Sequence, residues 1–197
     1  MLPVFANNGL ETTVLVAALL IWIVPEMIRR STLKPGPGAK SNDRFSGTMI
    51  FICNWVGITI AFNLAFIMTS FAIPWHRTLL FWIGILFMLA GAAFRVYCIR
   101  VLGRYFTATV ATHPGQTVMS AGPYRYIRHP SYSGALLTIL GTGLALGNWL
   151  GLIVAMCFGA IGYGYRIVVE ERALMAALGE PYREYMQRTK RIIPFVI

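Results

Sequence analysis

The chain has 197 residues, of which 57 % are hydrophobic and 12 % charged, with a mean hydropathy of +0.64. A soluble domain carries roughly a quarter of charged residues, and one core of this size cannot hide so much apolar surface, so most of it must be solvated by lipid. The net charge of +10 does not point to nucleic acid, because 16 of the 17 Lys and Arg residues fall between the apolar runs or at their ends, the pattern of a cytoplasmic loop bias.

No Lys or Arg precedes Arg29, so the basic n-region of a secretory signal peptide is missing. The first apolar run, Leu10–Ile28, is expected to be a retained span with its N-terminus outside. Residues 29–45 hold Arg29, Arg30, Lys34, Lys40 and Arg44 around Pro35-Gly36-Pro37-Gly38, a basic cytoplasmic loop whose Pro/Gly cluster breaks any helix. Span two covers Ser46–Phe71 and ends at an outside turn, Pro74-Trp75-His76. Span three covers about Leu79–Leu102 and turns basic through Arg95, Arg100 and Arg104. Arg95 is expected to snorkel toward the headgroups along its apolar stem.

Residues 103–132 form a polar middle segment, with Tyr105–Val110 expected to be extended and Thr112–Gln116 to form a turn. Two short apolar runs follow, Ser133–Leu146 and Trp149–Tyr165, joined only by Gly147-Asn148. So short a connection predicts an antiparallel helical hairpin. Glycines at 143, 147 and 151 predict close backbone packing there. Arg166–Leu178 reads as a helix emerging from the membrane and closed by Gly179, and Pro181 starts a second helix with Tyr182, Tyr185 and Met186 on one face. That last helix also fits an amphipathic tail on the membrane surface. The fold class is therefore an all-α integral membrane protein of about five spans, with residues 1–101 forming three helices and 102–197 the functional region, hairpin 133–165 included.

The chemistry is concentrated in Gly122-Pro-Tyr124-Arg-Tyr-Ile-Arg128-His129-Pro130-Ser131-Tyr132. Pro130 disfavours helix at His129 and suits the first turn of the helix that follows. His129 is thus placed beside unsatisfied N–H groups and a positive dipole end, a setting for an anionic or polar ligand; the same residues also suit a juxtamembrane loop facing headgroups. Arg166 and Glu170, four apart, share a helix face, while Glu171 points elsewhere, toward solvent or headgroups. An arginine fork matches a carboxylate. Cys53, Cys98 and Cys157 lie inside apolar runs with no metal or disulfide spacing, so they are read as packing residues and no metal is expected. A dinucleotide fingerprint, a phosphate-cradling loop and a nucleophile elbow are all missing.

Over roughly Leu102 to the C-terminus the chain resembles the isoprenylcysteine carboxyl methyltransferases and their bacterial and archaeal relatives. The resemblance is carried by Leu102-Gly-Arg-Tyr105, by Gln116-Thr-Val-Met119 running into Arg128-His-Pro-Ser-Tyr132, and by Arg166-x3-Glu170-Glu171-x2-Leu174 followed by Gly179-Glu-Pro-Tyr182-x2-Tyr185. It implies an S-adenosyl-L-methionine pocket on the cytoplasmic side. Gln116, Thr117, Val118, Met119, Tyr124, His129, Pro130, Ser131, Tyr132 and Glu170 would line the cofactor, and Arg166 would bind an acceptor carboxylate. The family often has histidine at the position of Gln116 and leucine at 117 or 118, so backbone contacts are expected there. The implied activity is carboxyl O-methylation of isoprenylcysteine or a similar lipophilic carboxylate, in the inner membrane if the source is bacterial, with membrane lipids and the lipophilic acceptor as partners. Phospholipid amine N-methylation, with His129 or Glu170 as base, small-thiol S-methylation and a non-catalytic membrane role are the alternatives. A transporter is disfavoured, since no ionisable residue lies near the middle of a span.

Overall fold

A computed structural model describes residues 1–32, 40–41, 43–113 and 115–193. Its helices are α1 (Gly9–Thr32), α2 (Ser46–Ile67), α3 (Arg77–Leu102), α4 (Pro130–Leu146), α5 (Trp149–Leu178) and α6 (Glu180–Arg188). Two short strands, β1 (Lys40–Ser41) and β2 (Ala111–Thr112), pair antiparallel with Lys40 opposite Thr112. The Pro35–Gly38 cluster and Pro114 lie outside the described residues.

Among the described residues, α1, α2, α5 and a helical stretch that runs from α3 to Tyr105 are long and apolar enough to cross a membrane. Large hydrophobic side chains such as Leu20, Ile52, Leu86 and Ile161 remain exposed along them; lipid would be their solvent. The chain is thus an integral membrane protein. The fifth expected span, α4, has only 17 residues and so reaches about 25 Å. Most of it is buried against α3 and α5.

The hairpin α4–α5 forms as its two-residue link predicts. Gly147 ends α4 at φ +65. Asn148 caps α5 by accepting the Gly151 N–H at 2.9 Å, and its amide donates to Leu64 O and Met68 O of the α2 end. One buried asparagine therefore fixes where α5 begins relative to α2. The closest helix approach is elsewhere than the 143/147/151 glycines indicate. It lies between α3 and α4, where a Cβ on Gly91 would sit 2.5 Å from the Gly134 carbonyl oxygen, and one on Gly84 would sit 2.6 Å from that of Gly141. No side chain fits between two backbones at that distance.

Two sequence expectations change at this level. α5 is one continuous helix from Trp149 through Leu178, so the segment from Arg166 onward is no separate helix. Arg95 does not snorkel: it is 7 % exposed, paired with Glu26 of α1, and donates to the Ser131 carbonyl at 3.0 Å. An arginine facing another helix in an apolar layer gains more from a carboxylate within reach than from a distant headgroup. Cys53 and Cys98 are buried as expected, whereas Cys157 is exposed on the outer face of α5.

Candidate active site

The middle segment is held from three sides. Tyr124 donates its hydroxyl to Cys98 O of α3 at 3.3 Å, and its own carbonyl accepts from the Tyr185 hydroxyl at 2.6 Å. Burial pushes the Tyr185 phenol up to about 12. After α6 the chain returns alongside the segment. Lys190 donates to Tyr126 O at 3.1 Å, while Arg128 and His129 donate their N–H groups to Lys190 O and Arg191 O at 2.7 and 2.9 Å. So α6 is no free surface tail; it buries Tyr182 and Tyr185 against the site.

Glu171 anchors this clamp. Its carboxylate accepts from Arg128 Nε at 2.8 Å and from Arg191 Nη2 at 3.0 Å, and its side chain is 7 % exposed. The expectation that it faces solvent or headgroups is thereby corrected. The returning C-terminal segment covers a face that helical periodicity alone leaves open. His129 is buried beside it, with Nε2 3.5 Å from Glu171 Oε1 and Nδ1 3.6 Å from Glu170 Oε2. Its ring stacks on Tyr132 at 5.4 Å and 3°. Nε2 has no hydrogen-bond partner among the described residues.

Arg166 and Glu170 meet through a third residue. The Tyr132 hydroxyl accepts from Arg166 Nε at 3.2 Å and donates to Glu170 Oε2 at 2.6 Å. Arg166 Nη1 donates to Asp43 Oδ1 and to Ser46 Oγ, and Nη2 to Ala108 O at 3.2 Å. Four of its five N–H donors are thus engaged, and a carboxylate already sits on it. Asp43 is fixed in turn by the Val110 and Gly47 N–H groups and the Ser46 hydroxyl. Partial burial alone would raise its pKa, but these donors and the Arg166 charge hold it below the ordinary 3.8. Asp43 escaped sequence reasoning; its one signal is that it is the single acid in the basic 29–45 loop.

These residues line an open cavity. Gln116, Thr117, Val118, Met119, Tyr124, His129, Ser131, Tyr132, Arg166 and Glu170 all line it, together with Tyr182 and Tyr185. Pro130 does not: it is fully buried at the first turn of α4, where its fixed φ serves the helix start rather than the cavity. The Gln116 side chain closes a turn by accepting the His113 N–H at 3.0 Å. Among the described residues no protein group pairs with the N–H groups of Val118 and Met119, two residues that line the cavity. A second, larger cavity lies between α1 and α2. Phe106, Thr107, Tyr132 and Arg166 line both.

Comparison with known proteins gives a consistent result. Residues 82–176 match the isoprenylcysteine carboxyl methyltransferase (ICMT) family. A probable protein-S-isoprenylcysteine O-methyltransferase of Oryza sativa subsp. indica is 30 % identical over 117 residues, covering 58 % of this chain and 61 % of the relative. Protein-S-isoprenylcysteine O-methyltransferase B of Arabidopsis thaliana is 33 % identical over 118 residues, covering 57 % of this chain and 58 % of that protein. The chain thus spans about three fifths of the length of these relatives. A solved structure of the eukaryotic intramembrane Ras methyltransferase ICMT superposes with a TM-score of 0.65 at 23 % identity, covering 94 % of this chain and 68 % of that one. The family resemblance carried by the Arg-His-Pro-Ser-Tyr core and the Arg166/Glu170 spacing is borne out over the matched region, and the helical membrane fold over nearly the whole chain.

Proposed function

We propose that this chain, whose residues 82–176 match the isoprenylcysteine carboxyl methyltransferase family, is a membrane methyltransferase that uses S-adenosyl-L-methionine to O-methylate isoprenylcysteine or a similar lipophilic carboxylate. The observation that carries the reading is the shared wall. A polar, tyrosine-lined cavity and a larger, more apolar one meet at Tyr132 and Arg166, so two substrates of opposite character can be held face to face.

The first cavity fits the cofactor. Val118 and Met119 line it and have N–H groups with no protein partner among the described residues, and the Glu170 Oε1 carboxylate oxygen has none either. Glu170 would take a cationic ammonium, and the 116–119 segment the polar edges of a nucleoside. When bound, the cofactor supplies a sulfonium-activated methyl group. A carboxylate acceptor is ionised at neutral pH, its reference pKa lying near 4, so no general base is needed and the protein's work is alignment and exclusion of water. Tyr132, pinned between Arg166 and Glu170, separates the two cavities and fixes the angle at which their occupants meet. Arg166, already paired with Asp43, holds the Tyr132 hydroxyl in place at that wall. The basic residues of the 29–45 loop and of the segment from Arg166 onward support a cytoplasmic position for this end of the bundle.

The test is methyl transfer from radiolabelled S-adenosyl-L-methionine to S-farnesylcysteine analogues with a free carboxylate, alongside phospholipids with amine headgroups. Label released as methanol by base identifies an ester and supports the reading. Base-stable label on the phospholipids overturns it in favour of N-methylation.

A further inference from the structure

The second cavity carries a charge imbalance that the methyl-transfer site does not use. Its apolar wall is built by Trp22, Ile23, Ile50, Phe51, Trp55 and Ile58. Four arginines also line it: Arg29, Arg30, Arg95 and Arg166. Glu26 is paired with both Arg29 and Arg95, and Asp43 with Arg166. Arg30 has no carboxylate partner among the described residues. Its Nη1 donates to Gly47 O at 3.1 Å and its Nη2 to Thr48 Oγ1 at 3.3 Å, both neutral acceptors, and its guanidinium lies 4.6 Å from the Phe51 ring centroid. A guanidinium has five donors, so most of its capacity is unspent. Those contacts set it at the cavity rim, where the side chain is exposed.

The position is informative. A Cβ on Gly47 would lie 3.4 Å from Arg166 Nη1, so Gly47 stands between the two guanidiniums. Arg166 has four of its five N–H donors engaged by Asp43, Ser46, Ala108 and Tyr132 and cannot present a fork to a second carboxylate without losing the first. Arg30, one residue's breadth away, can.

We infer that Arg30 is the anion anchor of this cavity, taking the carboxylate head of a long-chain amphiphile whose hydrocarbon tail lies between α1 and α2 against Trp22 and Trp55. The inference deepens the proposed function by assigning the acceptor's charged group to Arg30 rather than Arg166. It also supplies a release step. Methylation converts the carboxylate to a neutral ester, which loses its pairing with Arg30, so product binds more weakly than substrate and leaves toward the lipid.

Binding can be measured without any cofactor, which separates this inference from the methyltransferase reading. With Trp75→Phe, Trp82→Phe and Trp149→Phe in place, Trp22 and Trp55 report occupancy by fluorescence quenching when the purified protein is titrated with a dibrominated long-chain fatty acid or with its methyl ester, at a pH where the acid is fully ionised. The expected result is that the acid quenches at lower concentration than the ester. Arg30→Gln should weaken the acid about tenfold, the size of one charge-assisted pair, and leave the ester unchanged. Arg30→Lys should fall between, keeping charge but losing the fork. Arg100→Gln, at an exposed arginine near the end of α3, controls for general attraction of anions to the basic surface. Equal weakening of acid and ester, equal loss in Arg100→Gln, or no loss in Arg30→Gln would each overturn the assignment.

Discussion

Removing one oxygen atom, in Tyr132→Phe, tests whether the two cavities share a built wall. The hydroxyl is buried, accepts from Arg166 Nε at 3.2 Å and donates to Glu170 Oε2 at 2.6 Å. Without it the Arg166 Nε–H is left unsatisfied in a side chain that is 7 % exposed, a loss of about 1–3 kcal/mol. Glu170 is 25 % exposed and regains water, so its lost bond adds only about 1 kcal/mol. The variant should be destabilised by roughly 2–4 kcal/mol, read from reversible unfolding in a detergent–denaturant titration. A double-mutant cycle with Glu170→Gln should show a coupling of about 1 kcal/mol or more. A loss under about 0.5 kcal/mol, the range of ordinary surface substitutions, or a coupling near zero, would refute the bridging role and with it the rigid wall.

Other variants probe the surroundings. Glu171→Gln leaves Arg128 and Arg191 without their shared carboxylate and should loosen the return of residues 189–193, seen as faster amide exchange at His129 and Arg128 and a stability loss of about 3 kcal/mol. Gly91→Val should prevent α3 and α4 from meeting, since its first side-chain atom would sit 2.5 Å from the Gly134 carbonyl; poor yield of folded protein is the expected outcome, and normal thermal stability would contradict the close crossing. The pH response has two edges. The Asp43 pKa is held below 3.8 by its hydrogen bonds and by Arg166 despite burial, so its contribution is complete above that value and lost as pH falls through the lower folded-state pKa; Asp43→Asn should flatten this acid edge. Tyr185 is raised by burial from 10 to about 12, so its contribution is complete below 10 and lost as pH rises through about 12, an alkaline edge that Tyr185→Phe should remove from the unfolding midpoint.

Much of this protein was legible in one dimension because lipid imposes a simple rule. Apolar runs of about 20 residues must cross, and the breaks between them, such as Gly147-Asn148 and the 103–129 segment, stand out by composition alone. Composition alone set the polar 103–132 segment and the Arg166/Glu170 face at the same end of the spans; that Gln116–Met119 and His129–Tyr132 join them in one site was implied by the family resemblance. The sequence by itself therefore determined which residues gather and at which end of the bundle. Only the tertiary structure decided their partners. Glu171 lies about 100° round the helix from Glu170 and looks outward by periodicity, yet the chain returning at Lys190–Arg191 covers it. Arg95 looked like a snorkelling residue until Glu26, 69 positions away, met it. Asp43, 123 positions from Arg166, filled the fork that resemblance had reserved for a substrate. Charge pairing across such separations depends on which helix faces which, and no local pattern encodes it.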